Sequence, residues 1–189
     1  MRVIAGSARG TRLQGPVDYD GTRPISDRAK EALMSILGAR IEGANVLDLF
    51  AGVGNVGIEL LSRGAAHATF VDAEAGPVRD IRRNLEKTRL SDKAVVLQAD
   101  AFEFLRSRRT GGTPYDIVFA GPPQWLGLWE TTAQALDARP EIIDGIAVIQ
   151  CDKKEWQPLE LENLSVTDER RYGSVLLGFL TPTYPRVGA

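Results

Sequence analysis

The sequence contains very little sulfur and imidazole. Its 189 residues include one cysteine, Cys151, and one histidine, His67. A single cysteine cannot form an internal disulfide or a zinc cage, so the chain needs no oxidising compartment and fits the cytoplasm. A Ser-His-Asp triad or a histidine metal centre would have to use His67, which lies in a Gly-Ala-Ala-His-Ala turn and suits a surface or packing position. We therefore expect no metal.

Long apolar runs and an excess of charge of one sign are also missing. The charge-free stretch at 117–129 contains two prolines and two glycines and falls short of the ~18 apolar residues of a membrane span. The apolar start of the chain is shorter than the ~7–15 residues of the apolar h-region of a signal sequence. The net charge of −2 excludes a uniformly basic nucleic-acid coat, and the 43% of hydrophobic residues excludes a wholly disordered chain. We expect a soluble protein with a sizeable core.

What the sequence does contain is an alternation of short apolar strands and amphipathic helices. Helices are predicted at 27–37, from the glycine-rich segment 51–57 to about residue 63, and at 78–89, 101–108 and 130–136. Strands are predicted at 45–50, 68–71, 94–98, 116–120, 146–151, 164–171 and 174–180. This order predicts a parallel sheet with helices on both faces and an antiparallel hairpin at its edge. Residues 1–25 are predicted to form a short hairpin or irregular arm.

A glycine loop and two acids are predicted to share one edge of this sheet. Residues 52–57 fit the pattern G-x-G-x-x-G after a strand and before a helix, where glycines allow a sharp turn close to a ligand. Asp72, 20 residues after Gly52, ends the second strand, where a carboxylate can accept hydrogen bonds from ribose hydroxyls. Asp100 follows the third strand. The pattern predicts a nucleoside-sized crevice and fits a dinucleotide as well as S-adenosylmethionine (SAM).

Longer stretches distinguish between these ligands. Residues 23–33, Arg-Pro-Ile-Ser-Asp-Arg-Ala-Lys-Glu-Ala-Leu, resemble the Arg-Pro-Thr-x-Asp-Arg-x-(Arg/Lys)-Glu-x-Leu segment of the RsmD family. Members of that family are bacterial SAM-dependent methyltransferases that modify a guanine N2 amino group of small-subunit (16S) ribosomal RNA. Residues 48–54, Asp-Leu-Phe-Ala-Gly-Val-Gly, are similar to the family's first SAM motif. The match continues at 57–59 and 61–65, at Ile4-x-Gly6 and Gly10-x-x-Leu13 in the opening hairpin, and at Tyr172-Gly173 in the closing hairpin.

The resemblance implies a Rossmann-like class I SAM-dependent methyltransferase fold. This α/β fold has a seven-stranded, mostly parallel sheet, an antiparallel C-terminal hairpin and a short N-terminal arm. A single domain would span 1–189, with an RNA-facing arm and helix at 1–40 and the SAM-binding core at 41–182. SAM would leave as S-adenosylhomocysteine after methyl transfer.

The same resemblance implies a role for each cofactor-binding residue. Asp48 would reach the methionyl end of SAM, the backbone at Gly52 and Gly54 would lie against the cofactor, and Asp72 would hold its ribose. Residues 100–102 would frame the adenine. The implied set is Asp48, Phe50, Ala51, Gly52, Gly54, Asp72, Asp100, Ala101 and Phe102.

The sequence departs from the family's pattern after the 116–120 strand. The family has (Asp/Asn)-Pro-Pro-(Phe/Tyr) there, so that a side chain and a proline carbonyl accept the N–H groups of the guanine amine while the ring stacks on the base. In this chain the first position has no side chain, and the last offers a carbonyl but no ring. Trp125 or Trp129 could supply a ring if the loop shifts. The candidate catalytic residues are Gly121, Pro122, Pro123 and Gln124.

Three functions are compatible with these residues. The first is methylation of guanine N2 in small-subunit rRNA by direct transfer, without a metal or a covalent enzyme intermediate. The second is a catalytically weakened or inactive SAM- or RNA-binding relative, which Gly121 and Gln124 suggest. The third is a nicotinamide-dependent oxidoreductase, which the glycine pattern allows and which the double proline and the C-terminal hairpin oppose.

Arginines are concentrated at the start of the chain, although the protein as a whole is slightly acidic. A local basic patch is enough to follow RNA phosphates, and the resemblance places this one beside the cleft. The expected partner is 16S rRNA or the assembling small subunit, and nothing in the sequence requires a membrane or more than a monomer. The candidate RNA-binding residues are Arg2, Arg9, Arg12, Arg23 and Arg28.

Overall fold

The computed structural model describes residues 1–15, 25–109 and 111–183, and within these ranges seven strands form one sheet. The strand order is β3-β2-β1-β4-β5-β7-β6. Strands β1 to β5 are all parallel to one another, while β7 runs antiparallel to both β5 and β6. The strands are β1 (Asn45–Leu49), β2 (His67–Asp72), β3 (Ala94–Gln98), β4 (Tyr115–Ala120), β5 (Ile143–Asp152), β6 (Leu164–Tyr172) and β7 (Val175–Pro182).

Helices cover both faces of the sheet. They are α1 (Asp27–Leu37), α2 (Asn55–Ser62), α3 (Ala75–Thr88), α4 (Ala101–Ser107) and α5 (Leu128–Asp137), with short 3-10 turns at Gly38–Ile41, Ser91–Lys93 and Pro140–Ile142. Side chains of α1, α2 and α3 form one buried cluster with Val46 and Phe70 of the sheet. Side chains of α4 and α5 form a second cluster with Leu47 and Val71. Successive residues of β1 and β2 therefore point into opposite layers, as the pleat requires.

The structure confirms the predicted fold class and each predicted helix and strand, with boundaries that move by at most about three residues. The largest change in the sheet is at β5, which begins at Ile143 and not at residue 146. Gly145 lets the β5 backbone pass Asp116 closely, since an added Cβ would lie 2.4 Å from the Asp116 carbonyl oxygen. The register of β4 and β5 shifts at this point. His67 is the first residue of β2, where the sequence predicted a turn.

The first 15 residues form a hairpin-like arm with one antiparallel bridge, between Arg2 and Arg12. The Val3 N–H donates to the Thr11 carbonyl at 2.9 Å. The arm packs on the end of α2, where the Ser7 N–H donates to the Ser62 carbonyl at 2.7 Å. The predicted hairpin is therefore confirmed for 1–15, while Arg23 and the rest of 16–24 lie outside the described residues. In the part of the chain that is described, no helix is long and apolar enough to cross a membrane.

Candidate active site

The candidate site lies where the sheet reverses its strand order, between β1 and β4. Strand β1 has β2 on one side and β4 on the other. The chain leaving β1 turns toward β2, because the Ala51 N–H donates to the Val71 carbonyl at 3.1 Å. The chain leaving β4 stays beside β1, because the Gly121 N–H donates to the Leu49 carbonyl at 3.3 Å. The glycine loop and the segment 121–124 therefore flank the end of β1, which is the position of the ligand crevice in open α/β sheets.

Asp72 connects the end of β2 to the glycine loop. Its Oδ2 accepts the Gly52 N–H at 2.8 Å, and its Oδ1 accepts the Glu74 N–H at 3.0 Å. Each carboxylate oxygen has a further lone pair, so ribose hydroxyls can still bind. Burial raises the pKa of Asp72, and the two backbone hydrogen bonds oppose that rise. At Gly52, with φ of 57°, a Cβ would have no atom within 4 Å, so this side of the loop has room for a ligand.

Asp48 lies beneath the loop and is buried from solvent. Its Oδ2 accepts the Gly57 N–H of α2 at 2.8 Å. Only glycine allows this approach, because a Cβ at position 57 would lie 2.9 Å from that oxygen and 2.3 Å from Cε1 of Phe70. Burial raises the pKa of Asp48 to about 8; the Gly57 N–H opposes the rise and the charge of Asp72 adds to it. Near neutral pH the Asp48 carboxyl is therefore largely protonated.

Two buried polar side chains connect the glycine loop to helices α1 and α3. Asn55, the first residue of α2, accepts a hydrogen bond on Oδ1 from Nζ of Lys30 at 2.8 Å. Asn84 of α3 donates from Nδ2 to the Val53 carbonyl at 3.0 Å and to the Gln14 carbonyl of the arm at 2.9 Å. Helices α1 and α3 therefore both fix the loop, and the arm ends against it.

Aromatic side chains form the wall beside the ends of β1 and β3. Phe50 has a positive φ of 56° and meets the ring of Phe102 edge-on, with 5.8 Å between ring centroids. Asp100 caps α4, because its Oδ1 accepts the N–H groups of Phe102 at 3.0 Å and Glu103 at 2.9 Å. The buried Ala101 follows in the first turn.

The second glycine of the loop differs from Gly52. At Gly54 a Cβ would face Ile58 and Phe70 in the core and not open space.

The segment after β4 offers a backbone acceptor but few side-chain groups. Gly121 has nothing beyond Cα, and a Cβ there would lie 3.3 Å from Cε1 of Phe119. Gln124 is buried, with 7% of its surface exposed. Trp129 is also buried, and its ring lies 4.9 Å from that of Trp156, so the expectation that it could stack on a base is wrong. Trp125 is exposed.

The arginines of the N-terminal arm and α1 are on the surface. Arg2, Arg9, Arg12 and Arg28 are exposed, and Nε of Arg2 lies 3.3 Å from Oδ2 of Asp27. The end of the arm reaches the site, because a Cβ at Gly15 would lie 2.3 Å from Cγ1 of Val53. Arg23 lies outside the described residues. No group of three or more His, Cys, Asp or Glu side chains suited to a metal occurs in 1–15, 25–109 or 111–183.

The sequence analysis missed the buried groups that hold the loop, chiefly Lys30 and Asn84. A signal for Lys30 was present, since it precedes Leu33, Met34 and Leu37 by three, four and seven residues and so lies on the apolar face of α1. Asn84 follows Ile81 by three residues on the buried face of α3. A polar residue on an apolar face predicts a buried polar contact, but it does not identify the partner.

Comparison with known proteins places the chain in a class and then in a family. The seven-stranded sheet with its antiparallel C-terminal hairpin is that of class I SAM-dependent methyltransferases. An RNA methyltransferase from Salinibacter ruber in complex with S-adenosyl-L-homocysteine has the same fold, with a TM-score of 0.62 at 15% identity over 86% of this chain and 96% of that chain. A putative methyltransferase, yhhF from Escherichia coli, superimposes with a TM-score of 0.81 at 32% identity over 96% of this chain and 97% of that chain.

The family follows from the sequence matches. A family model described as "Conserved hypothetical protein 95" matches residues 1–181. The protein named "Ribosomal RNA small subunit methyltransferase D" of Escherichia coli strain K12 is 35% identical over 176 residues, which cover 93% of this chain and 86% of that protein. The chain belongs to this family, the RsmD family.

Proposed function

We propose that this protein transfers a methyl group from SAM to a guanine N2 amino group of small-subunit ribosomal RNA. Its family membership and the name of its Escherichia coli relative support the reaction class. The observation that carries the proposal is the arrangement at the end of β1. There the Asp72 carboxylate accepts the Gly52 N–H on one side, while the backbone of Gly121 follows β1 on the other.

The described residues fit a nucleoside cofactor. Space beside Gly52 and the remaining lone pairs of the Asp72 carboxylate suit a ribose, and the edge-on rings of Phe50 and Phe102 suit an adenine. Asp48 would support the methionyl end from below through the glycine loop. When bound, SAM supplies an electrophilic methyl group on a sulfonium, so the protein has to orient the acceptor nitrogen and exclude water.

The residues after β4 would orient the guanine amine. Its lone pair is delocalised into the ring, so acceptors for its N–H bonds are needed to align it for attack. The carbonyl of Pro122 can accept one N–H, whereas Gly121 offers no second acceptor side chain. We expect slow turnover, because losing one preorganised hydrogen-bond partner typically costs ~10²–10³ in rate. Gln124 contributes through packing in this arrangement, since it is buried.

Methyl transfer can be measured with radiolabelled SAM and small-subunit RNA that lacks the modification, both free and assembled into subunits. We expect label in N2-methylguanosine after digestion to nucleosides, from at least one of the two substrates. The Asp72→Ala variant is the control for transfer that depends on the site. SAM binding without label above background would overturn the catalytic proposal.

A second candidate function is a non-catalytic SAM- or RNA-binding module, which the missing side chain at Gly121 favours. The structure has room to test it, because the Cβ of Gly121→Asp would require Phe119 to move by only a few tenths of an ångström. Gly121→Asp combined with Gln124→Tyr restores the family's pattern. Activity that appears only in this double variant would support the module, and equal activity in both proteins would exclude it.

The proposed function also gives a role to the N-terminal segment. The exposed arginines of the arm and α1 would contact RNA phosphates, while residues 41–182 form the SAM-binding core of the same domain. The end of the arm at Val53 would bring those contacts to the cofactor loop. We infer a monomeric cytoplasmic enzyme that acts on 16S rRNA or the assembling small subunit without a metal.

A further inference from the structure

Two large apolar side chains are exposed just after the proline pair, at the edge of the candidate site. Trp125 is 59% exposed and Leu126 is 68% exposed. Among the described residues, the remaining large hydrophobic side chain that is exposed is Val95, and it is less accessible, at 42%. An indole left in water beside a ligand crevice is typical of a recognition surface, because its apolar area is not used by the core.

The backbone of Trp125 is held in an unusual conformation. Its φ of 66° lies in the left-handed region, which bulky residues rarely adopt. The N–H of Trp125 donates to Oε1 of Glu155 at 2.7 Å, so the turn after β5 fixes this conformation. Phe50, after the neighbouring strand β1, also has a positive φ. Aromatic residues with a strained backbone therefore follow both β1 and β4, the strands between which the sheet reverses its order. Such strain persists where the surrounding structure enforces it, often at functional sites.

The turn that carries Glu155 is firmly anchored. The Glu155 N–H donates to the Asp152 carbonyl at 3.0 Å. The next residue, Trp156, packs on Trp129 and lies flat against β7, where a Cβ at Gly178 would be 2.2 Å from its Cη2. Its indole Nε1 donates to Oε1 of Glu169 at 2.7 Å. The rings of Trp129 and Trp156 are therefore committed to packing, and Trp125 is the remaining tryptophan of the three.

The charges near Trp125 favour a nucleotide over an apolar partner. Lys153 and Lys154 are exposed in the same turn as Glu155. An aromatic face and adjacent cations are what single-stranded RNA needs, because the ring stacks on a base and the ammonium groups approach phosphates.

We propose that Trp125 stacks on a base of the RNA substrate, that Glu155 is its positioning residue, and that Lys153 and Lys154 contact the adjoining phosphates. This inference rests on the proposed function, because it takes RNA as the substrate. It assigns the ring missing at Gln124 to the next residue along the chain. Base–aromatic stacking is sequence-tolerant, so Trp125 would fix the plane of a base and not its identity.

The direct test is binding of a fluorescently labelled RNA fragment to the full chain, together with tryptophan fluorescence. Trp125→Gly removes the ring and also suits the left-handed backbone, so this variant should fold. We expect RNA affinity to fall roughly 10- to 100-fold, the range for losing one stacked base. RNA-induced quenching of the wild-type fluorescence should disappear as well. Leu126→Ala, an equally exposed neighbour without a ring, is the matched control and should bind as the wild type does.

Further variants separate the roles of Trp125, Glu155 and the two lysines. Trp125→Phe should keep most of the affinity, because it retains an aromatic face. Glu155→Ala should raise the KM for RNA more than it lowers kcat. Glu155→Gln retains the acceptor oxygen for the Trp125 N–H, so its KM should be close to that of the wild type. Replacing Lys153 and Lys154 with alanine should reduce the salt dependence of binding, whereas Trp125→Gly should leave that slope unchanged.

The outcomes distinguish this inference from the proposed function. Methyl transfer and RNA binding that are equal in wild type and Trp125→Gly would overturn the role of Trp125 and leave the methyltransferase standing. Equal losses in Trp125→Gly and Leu126→Ala would also overturn it, because a general apolar contact would then explain both. RNA binding with Trp125 quenching but without methyl transfer would support stacking and remove the catalytic proposal.

Discussion

The ammonium nitrogen of Lys30 lies 3.1 Å from Oε2 of Glu59, and neither side chain is exposed to solvent. The same carboxylate accepts the N–H groups of Ile4 at 2.7 Å and Ala5 at 3.0 Å. Nζ of Lys30 also donates to the Arg2 carbonyl at 2.7 Å. Burial lowers the pKa of Lys30, and the charge of Glu59 opposes that shift. This ion pair therefore joins the arm to α1 and α2 in the protein interior.

Removing one member of the pair should destabilise the protein strongly. We expect Glu59→Gln to reduce the free energy of unfolding by about 3–5 kcal/mol, because it leaves the buried Lys30 ammonium uncompensated. Urea denaturation measures this change. Arg63→Ala is the control, since Arg63 contacts the same carboxylate at 2.7 Å from a partly exposed position. If Glu59→Gln lowers the free energy of unfolding no more than Arg63→Ala does, the buried pair with Lys30 contributes no more to stability than the partly exposed contact with Arg63.

Asp48 should make stability depend on pH. Its pKa is about 8 in the folded protein and about 3.9 when exposed, so the folded state keeps a proton that the unfolded state releases. The protonated carboxyl contributes its full stabilisation below about pH 4, and this contribution is lost progressively as the pH rises from about 4 to about 8. Above about pH 8 both states are ionised, so the stability no longer changes with Asp48. Asp48→Asn keeps an acceptor for Gly57 but does not ionise.

Urea denaturation of wild type and Asp48→Asn at several pH values between 5 and 9 tests this expectation. The variant should gain stability relative to the wild type as the pH rises to about 8, and the difference should then level off. The total gain should be of the order of a few kcal/mol. A difference that does not change with pH would mean that Asp48 ionises normally in the folded protein.

Asp72 and Asp100 should respond differently to the same substitution. Asp72 organises the glycine loop and is the proposed ribose acceptor, so Asp72→Ala should weaken SAM binding by at least about tenfold, or ~1.4 kcal/mol. Asp100 caps α4, so Asp100→Ala should mainly cost about 1 kcal/mol of stability. Calorimetric titration with SAM and urea denaturation separate the two effects. A larger loss of SAM affinity in Asp100→Ala would reverse these assignments.

Asn84 should couple the arm to the glycine loop. Asn84→Ala removes its hydrogen bonds to Gln14 and Val53, each worth about 1 kcal/mol net. We expect faster proteolysis within residues 1–15 and weaker SAM binding in the same variant. Thr88→Ala, which loses only hydrogen bonds within α3, is the comparison. An arm that resists protease as well as the wild type would contradict this coupling.

The sequence was sufficient for the fold because the strands and helices have clear periodicity and several of the turns between them, such as those after β1, β4 and β6, contain glycine. It also located Asp72 correctly at the end of β2, since position along a strand determines the edge at which a residue lies. It contained a local signal for the capping role of Asp100, because an aspartate just before a helix with Glu103 three residues later is typical of an N-cap. It could not assign Asp48 to a buried, protonated state, because that state depends on neighbours in space. The choice between Trp125 and Trp129 was open for the same reason: a tryptophan suits a core and a surface equally well.

The attachment of the arm has a consequence for the order in which the chain can fold. The arm is made first, yet Ile4 binds Glu59, Gln14 binds Asn84, and the Arg12 carbonyl accepts a hydrogen bond from Lys87, 55 to 75 residues later. Docking it closes long loops, which costs entropy before any contact forms. A ribosome must therefore release the chain through Glu59 before the arm can bind α2, and through Lys87 before it can bind α3, whereas the contacts of Arg2 with α1 are available earlier.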